Sequence, residues 1–313
     1  MERQTAVVCS GALSLRAPAK INLYLEITGQ RADGYHTIRT VMQKISLYDR
    51  VELALGAGEG IALTCPGSSL PADSSNLVHK AAWHFHQALR AREIPLCRVT
   101  VSLGKQIPVA AGLGGGSSDA AAVLLGLNRL YQYPLSSREL FDIGLALGAD
   151  IPFFLQPAAI SLGRGIGEIL SSVVSGPVLN LVLVNPGFSV STKWAYENFV
   201  LTESAKEISL ARSRAMEWWR LCEQGTKQSF PLDCLYNDLE QVTAARYGAI
   251  QEIKQALRNC GACSTLMSGS GPTVFGVFAE AKQAAESVQQ LEKQNYFICQ
   301  AQTLGEQVWP FSR

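Results

Sequence analysis

The sequence predicts an α+β chain in two domains. Three observations carry this. The chain has 313 residues, enough for about two domains at ~100–200 residues each. Its first half reads as strands followed by helices. Its second half, apart from a polar insertion, reads as β-α-β-β-α-β, the split βαβ or ferredoxin-like order. A composition change over residues 171–177 (SSVVSGP) marks the boundary, giving domains of residues 1–173 and 174–313.

The elements follow in order. Residues 13–27 (LSLRAPAKINLYLEI) alternate with a period of two. Ala19, Ile21, Leu23 and Leu25 point to one face, Lys20, Asn22, Tyr24 and Glu26 to the other, which predicts a half-buried strand. A glycine-bearing turn spans residues 29–35, and apolar strand material runs over 38–55. Residues 76–92 read as a helix and 99–103 as a strand. A glycine-rich loop then leads into a helix over residues 117–131, with Ser117 or Ser118 as its N-cap. Ser136 or Ser137 caps another helix running to Leu147, which Gly148 terminates. Beyond the boundary come a strand (179–184), polar helical material, a helix near 238–259, two strands around SGSGP, a helix (280–293) and a strand (297–304).

Composition excludes several classes. Hydrophobic residues make up 47% of the chain, which argues against disorder. Lys plus Arg number 27 against 26 Asp plus Glu. With no basic run, no nucleic-acid partner is expected. No apolar stretch approaches the ~18 residues of a membrane span, and MERQTAVVCSGALSL has no extended apolar core, so neither a membrane anchor nor a signal peptide is expected. Eight cysteines are scattered along a chain too large to need stapling. They read as reduced thiols of a cytoplasmic enzyme. Cys260 and Cys263 lack the second pair that a zinc site needs and follow a helical run rather than opening one, so they read as structural. His84 and His86 diverge on their helix and make no metal pair.

The strongest local signal is the run Pro108, Val109, Ala110, Ala111, Gly112, Leu113, Gly114, Gly115, Gly116, Ser117 and Ser118, followed by Asp119 and a helical stretch. Glycines let an anion approach the backbone, and a helix N-terminus offers free N–H groups and partial positive charge. A phosphate site is expected. It is not a Walker loop, because Gly116 is followed by Ser117, Ser118 and Asp119 rather than Lys-Ser/Thr. Nor is it a dinucleotide fingerprint, because position 117 is Ser and no βαβ unit closes. The plainer alternative is a turn that only lets a helix pack closely.

Three ordered motifs resemble those of the GHMP kinase superfamily: residues 17–23 (APAKINL), 108–118 (PVAAGLGGGSS) and 267–273 (MSGSGPT). Residues 31–37 (RADGYHT) and 148–154 (GADIPFF) narrow the resemblance to members that phosphorylate a methylerythritol unit linked to cytidine diphosphate. The resemblance implies a ribosomal-protein-S5-like first domain and a ferredoxin-like second one. It implies ATP as phosphoryl donor, with Mg2+ expected, and phosphorylation of the 2-hydroxyl of the small-molecule acceptor. It says nothing of oligomeric state, and it leaves a polar insertion over residues 203–231 unmatched.

Site residues carried by the resemblance are weighed against plainer readings. Asp150 is a turn-making or N-capping carboxylate by its surroundings, and the catalytic base by the resemblance. Lys20 and Asn22 share one face of a strand; alternation alone makes that face solvated, whereas the resemblance puts both beside the acceptor hydroxyl. A lysine near Asp150 would keep that carboxylate ionised. Tyr35 and His36 suit a flat heterocycle, and the resemblance gives them the cytosine. Tyr196 falls where a second aromatic is expected, with Phe188, Trp194 and Phe199 as rivals. Adenine contacts are expected near Asn76 and His79. Residues 268–273 read as a tight turn backing the phosphate loop. The competing functions are a kinase of homoserine or mevalonate and a non-catalytic nucleotide-binding protein.

Overall fold

The computed structural model describes residues 9–173, 178–200, 210–225, 230–292 and 295–305. The first half is built on a long antiparallel hairpin, β1 (Gly11–Gln30) with β2 (His36–Gly56). Then come β3 (Ile61–Thr64), α1 (Leu77–Arg90), β4 (Arg98–Gly104), α2 (Gly115–Leu130), α3 (Ser137–Leu147), α4 (Ile151–Leu155), β5 (Ile160–Arg164) and β6 (Ile169–Ser172). The second half holds β7 (Asn180–Asn185), α5 (Thr192–Glu197), α6 (Leu210–Glu223), β8 (Tyr236–Asn237), α7 (Asp238–Arg246), α8 (Ala249–Asn259), β9 (Ser264–Met267), β10 (Val274–Phe278), α9 (Ala281–Leu291) and β11 (Phe297–Gln302).

The second sheet has the order β11-β7-β10-β9 and is antiparallel throughout. That is the expected ferredoxin-like split βαβ. The first sheet runs β3-β4-β2-β1-β8, with β5 on the free stretch of β2 and β6 on β5. Because β8 comes from the second half, the first sheet recruits a strand from beyond the expected boundary. That boundary abuts residues 174–177, outside the described residues, as are 201–209 and 226–229 of the polar insertion region.

Local chemistry explains most element ends. Asn76 caps α1, its side chain accepting from Val78 N, and Val78, Ala81, Ala82, Phe85 and Leu89 form the buried face. Ser136 and Glu139 make a reciprocal capping box on α3. Gly126 lets α2 lie close on the first sheet; a Cβ there would come within 2.4 Å of Leu53.

Three expectations change. The helix after the glycine loop begins at Gly115, not at residue 117, because its N-cap is Gly114 in the left-handed region (φ 68°). Ser117 and Ser118 therefore lie inside its first turn. The helix expected over 238–259 is two, since Tyr247 leaves helical geometry (φ −124°, ψ 92°). Gly148 ends α3 as expected, with extended backbone (φ 173°). Finally, Cys9 and Cys97 form a disulfide, correcting the expectation of eight reduced thiols. The fold brings their Cα atoms to 5.3 Å across 88 residues of sequence, a proximity that spacing alone does not reveal. Cys65, Cys222, Cys234, Cys260, Cys263 and Cys299 are free.

The central strand differs from the half-buried ribbon that its alternation predicts. From Ala17 to Leu25 both faces of β1 are buried. One face meets a core shared by the two sheets, where Ile21, Leu23 and Ile45 cluster with Leu181, Leu183 and Phe275. The other closes the floor of a cleft. A register shift between Asn22 and Tyr24 inserts one extra residue into β1. Such a bulge reverses the facing of the residues beyond it. Tyr24 and Glu26 accordingly leave the side of Lys20 and Asn22, and Leu25 takes their place on the cleft.

No helix among the described residues is long and apolar enough to cross a membrane.

Candidate active site

A cleft of about 1220 Å³ opens where β1, β2, the glycine-rich loop and α5 converge. Three regions of it are distinct.

The loop between β4 and α2 forms one wall. Ile107, Ala111 and Leu113 root it in the core shared by the sheets. Gly112 (φ 76°) and Gly114 (φ 68°) use backbone that only glycine adopts cheaply. A Cβ on Gly112 would sit 2.1 Å from the Ser268 carbonyl oxygen, so the loop packs directly on the β9–β10 turn. Ser268 Oγ donates to the Gly112 carbonyl at 2.9 Å and accepts from Asn22 N at 3.3 Å. The turn at residues 268–273 thus backs the loop as expected. Gly116 stands differently: nothing lies within 4 Å of a Cβ built on it. Pro108 to Gly112, Gly114 to Gly116 and Ser117 line the cleft. Leu113 and Ser118 do not: Leu113 is core, and Ser118 is buried with its Oγ unpartnered. Leu113 precedes α2 and anchors the loop in the core, while the earlier start of α2 places Ser118 one turn in, with its side chain off the cleft.

Beneath this wall lies an ionic cluster that sequence reasoning missed. Asp49 Oδ1 accepts from Gln106 N (2.6 Å) and Ile107 N (2.8 Å), fixing the entry to the loop. Lys105 Nζ bridges the Asp49 and Asp119 carboxylates. Burial works against the Lys105 charge, but Asp119 and Asp49 outweigh it and hold that ammonium above its ordinary pKa. Burial pushes the Asp119 carboxyl up to about 8, against the pull of Lys105 and with the push of Asp49. The available sequence signal was weak: Asp49 sits in a strand that also carries Lys44, Arg50 and Glu52, and only its burial demands a partner.

The floor carries Lys20 and Asn22 on β1 and Asp150, which precedes α4. Lys20 Nζ donates to Asn22 Oδ1 at 2.5 Å and stands 3.7 Å from Asp150 Oδ2. Asn22 Nδ2 donates to Thr40 Oγ1 at 2.8 Å, and Thr40 Oγ1 donates to the Tyr24 carbonyl at 2.7 Å. Thr40, also unforeseen, thus fixes the Asn22 amide. Lys20 is 5% exposed, so the solvated-face reading fails. Asp150 makes no capping hydrogen bond, so the N-cap reading of its side chain fails too.

At the other end the His36 ring stacks on Tyr196, centroids 5.5 Å apart and planes at 25°. Tyr35 is 61% exposed at the rim. Of the rivals to Tyr196, Phe188 and Trp194 pack instead on Tyr247, and Phe199 packs against the apolar core of the second half. Burial, then the Asp150 and Asp238 carboxylates, push the Tyr196 phenol well above its usual pKa. Asn76 lines the cleft beside the loop, whereas His79 does not.

Fold and site define a small-molecule kinase of the GHMP class. Residues 76–157 match the model for the GHMP kinases N terminal domain and 227–296 that for the GHMP kinases C terminal domain. A 4-diphosphocytidyl-2-C-methyl-D-erythritol kinase from Desulfotalea psychrophila is 44% identical over 85% of this chain and 85% of its own length. One from Syntrophotalea carbinolica is 44% identical over 88% of this chain and 94% of its own. A crystal structure of 4-(cytidine 5'-diphospho)-2C-methyl-D-erythritol kinase superposes with a TM-score of 0.75 at 30% identity, over 94% of this chain and all of that one. The homoserine kinase of Cytophaga hutchinsonii shares the fold, with a TM-score of 0.69 at 17% identity over 98% of each chain. The chain belongs to the family of 4-diphosphocytidyl-2-C-methyl-D-erythritol kinases. These are ATP-dependent GHMP kinases of the non-mevalonate route to isoprenoids.

Proposed function

We propose that the chain transfers the γ-phosphoryl group of ATP to the 2-hydroxyl of 4-diphosphocytidyl-2-C-methyl-D-erythritol, with each part of the cleft serving one step. The triphosphate lies along Gly114 to Ser117, where free N–H groups of the α2 N-terminus and open space at Gly116 suit an anion. The cytosine is held at the end formed by Tyr35, His36 and Tyr196. The acceptor hydroxyl then falls between the two, beside Lys20, Asn22 and Asp150.

Asp150 orients that hydroxyl and takes its proton. Lys20 faces that carboxylate and balances negative charge as it builds on the transferring group. Phosphoryl transfer has a loose transition state, so positioning and electrostatics outweigh strong base catalysis. Asn22 holds the Lys20 ammonium from the other side.

Mg2+, expected with the nucleotide, meets no preformed cage. Among the described residues no three His, Cys, Asp or Glu side chains converge. The phosphates themselves would supply most of its oxygens, with Ser117 the loop hydroxyl facing the cleft. When bound, it neutralises phosphate charge. We divide the chain functionally at residues 1–173 and 174–313, and read it as acting in the cytoplasm on a small-molecule acceptor, without nucleic acid or membrane.

The observation that carries this reading is the Lys20–Asp150 pair beside the N-cap of α2: a Cβ on Gly114 would meet Lys20 Cγ at 3.0 Å. A coupled ADP-release assay with the cytidine-linked acceptor, and with homoserine and mevalonate as controls, tests it. Turnover on homoserine or mevalonate with none on the cytidine compound would overturn it.

A further inference from the structure

Lys44 lies directly across the β1–β2 ladder from Lys20, so the two side chains project to the same side of the sheet. Both meet the same short helix. Lys20 pairs with Asp150, the residue before α4, and Lys44 Nζ donates at 2.5 Å to the carbonyl of Gln156, the residue after it. Apolar contacts of Ile151, Phe153 and Phe154 hold α4 to the core. Such contacts are non-directional, and a single turn has little rigidity of its own. The polar ties at its two ends set its rotation.

Nothing in the core asks for a lysine at this position. Lys44 is 1% exposed, with the Phe153 ring centroid 5.2 Å from Nζ and no carboxylate within 4.0 Å among the described residues. Burial lowers its amine to about 7. A methionine would fill the space without that penalty. The main chain of Lys44 is itself fixed, its N–H donating to the Ala159 carbonyl (2.7 Å) and its carbonyl accepting from Leu304 N (2.9 Å). Its side chain also borders a small cavity shared with Ser118 of α2 and Phe154 of α4. Lys44 thus stands between the helix that begins at the phosphate loop and the helix that follows Asp150.

We propose that Lys44 is a positioning residue for phosphoryl transfer: by holding the carbonyl at the far end of α4, it sets Asp150 against Lys20 and the acceptor hydroxyl. The proposal rests on the reading of Asp150 as the base.

Lys44→Met keeps the apolar stem and removes the donor. A small misplacement of a reacting group is costly, so kcat is expected to fall about tenfold while KM for ATP and for the acceptor stays within about twofold. The melting temperature is not expected to fall. Lys44→Gln, whose donor is too short to reach Gln156, serves if the methionine variant does not fold, with the same expected loss of kcat. In an Asp150→Asn background the Lys44 substitution should add less than about twofold, because the two residues act through one geometry. Turnover within about twofold of wild type in a folded Lys44 variant overturns the proposal. So does a loss that persists in full in the Asp150→Asn background, which leaves the role of Asp150 intact. Near-normal turnover of Asp150→Asn alone overturns the reading of Asp150 and the proposal with it.

Discussion

Lys20 Nζ stands 3.7 Å from Asp150 Oδ2, and its other contact is the Asn22 side-chain oxygen at 2.5 Å. The ammonium is buried while the Asp150 side chain is 37% exposed to the cleft. The pair therefore offers an acceptor hydroxyl a carboxylate oxygen on one side and a positive charge on the other. Asp150→Asn keeps shape and removes charge and basicity. We expect kcat to drop by about 10²–10⁴-fold with little change in KM. Lys20→Met should also slow turnover, and the double variant should be no worse than the poorer single one if the pair acts as a unit. Steady-state kinetics on folded variants decide this. A kcat within a few-fold of wild type for Asp150→Asn would leave transition-state electrostatics from Lys20 alone.

The glycines of the loop are not equivalent, and substitutions should separate them. Gly116→Val puts a branched side chain into open space at the α2 N-terminus. ATP affinity measured by calorimetry should fall sharply while the melting temperature holds. Gly112→Ala instead drives a Cβ into the Ser268 carbonyl at 2.1 Å and forces the backbone out of its left-handed conformation. Here we expect loss of stability as well as of ATP binding. Equal melting temperatures for the two variants would contradict this division.

The stacked His36–Tyr196 pair should matter for one substrate only. His36→Ala removes a hydrogen-bonding ring and the platform under Tyr196. KM for the cytidine-linked acceptor should rise by a factor corresponding to about 1–3 kcal/mol. KM for ATP should stay near wild type. Equal effects on both substrates would argue that the pair is a structural contact.

The Asp49–Lys105–Asp119 cluster predicts a pH effect at the ATP site. Burial holds the Asp119 carboxyl well above its ordinary pKa, so it keeps a proton to a higher pH than a free carboxylate and carries less negative charge below that point. As pH rises through about 8 it ionises and adds negative charge beside the phosphates. KM for ATP should therefore climb above that pH in the wild type and stay flat in Asp119→Asn. The same shift affects stability. The unfolded-state pKa lies near the ordinary carboxylate value, so stability from this group is full below that value and is lost as pH rises toward about 8. Asp119→Asn should gain stability relative to wild type over that window. Denaturant midpoints from pH 5 to 9 would test it, and parallel curves for the two proteins would refute it.

Periodicity, caps and turn residues act over a few positions, so the glycine loop, the helix beginning at residue 76, a serine cap at 136 or 137, and the β-α-β-β-α-β order of the second half are legible locally. The site residues Lys20, Asn22, Tyr35, His36, Asp150 and Tyr196 were named through motif resemblance, and the fold gathers them in one cleft. What alternation could not settle was which face each residue of β1 presents, because the bulge after Asn22 reverses the facing beyond it.

Burial and charge pairing, by contrast, depend on chain segments far apart in sequence. Packing the second sheet against the first buries one face of β1, and the glycine-rich loop, Asp150 and α5 close over the other, turning a face that alternation marks as solvated into the floor of a cleft. Folding of the first half on itself brings Asp49 to Lys105 and Asp119, Cys9 to Cys97, and Lys44 to the end of α4. A buried charge or an unpaired donor has no local signature until its partner arrives. The energies that fix these contacts come from desolvation in the assembled fold, which no window of neighbouring residues contains.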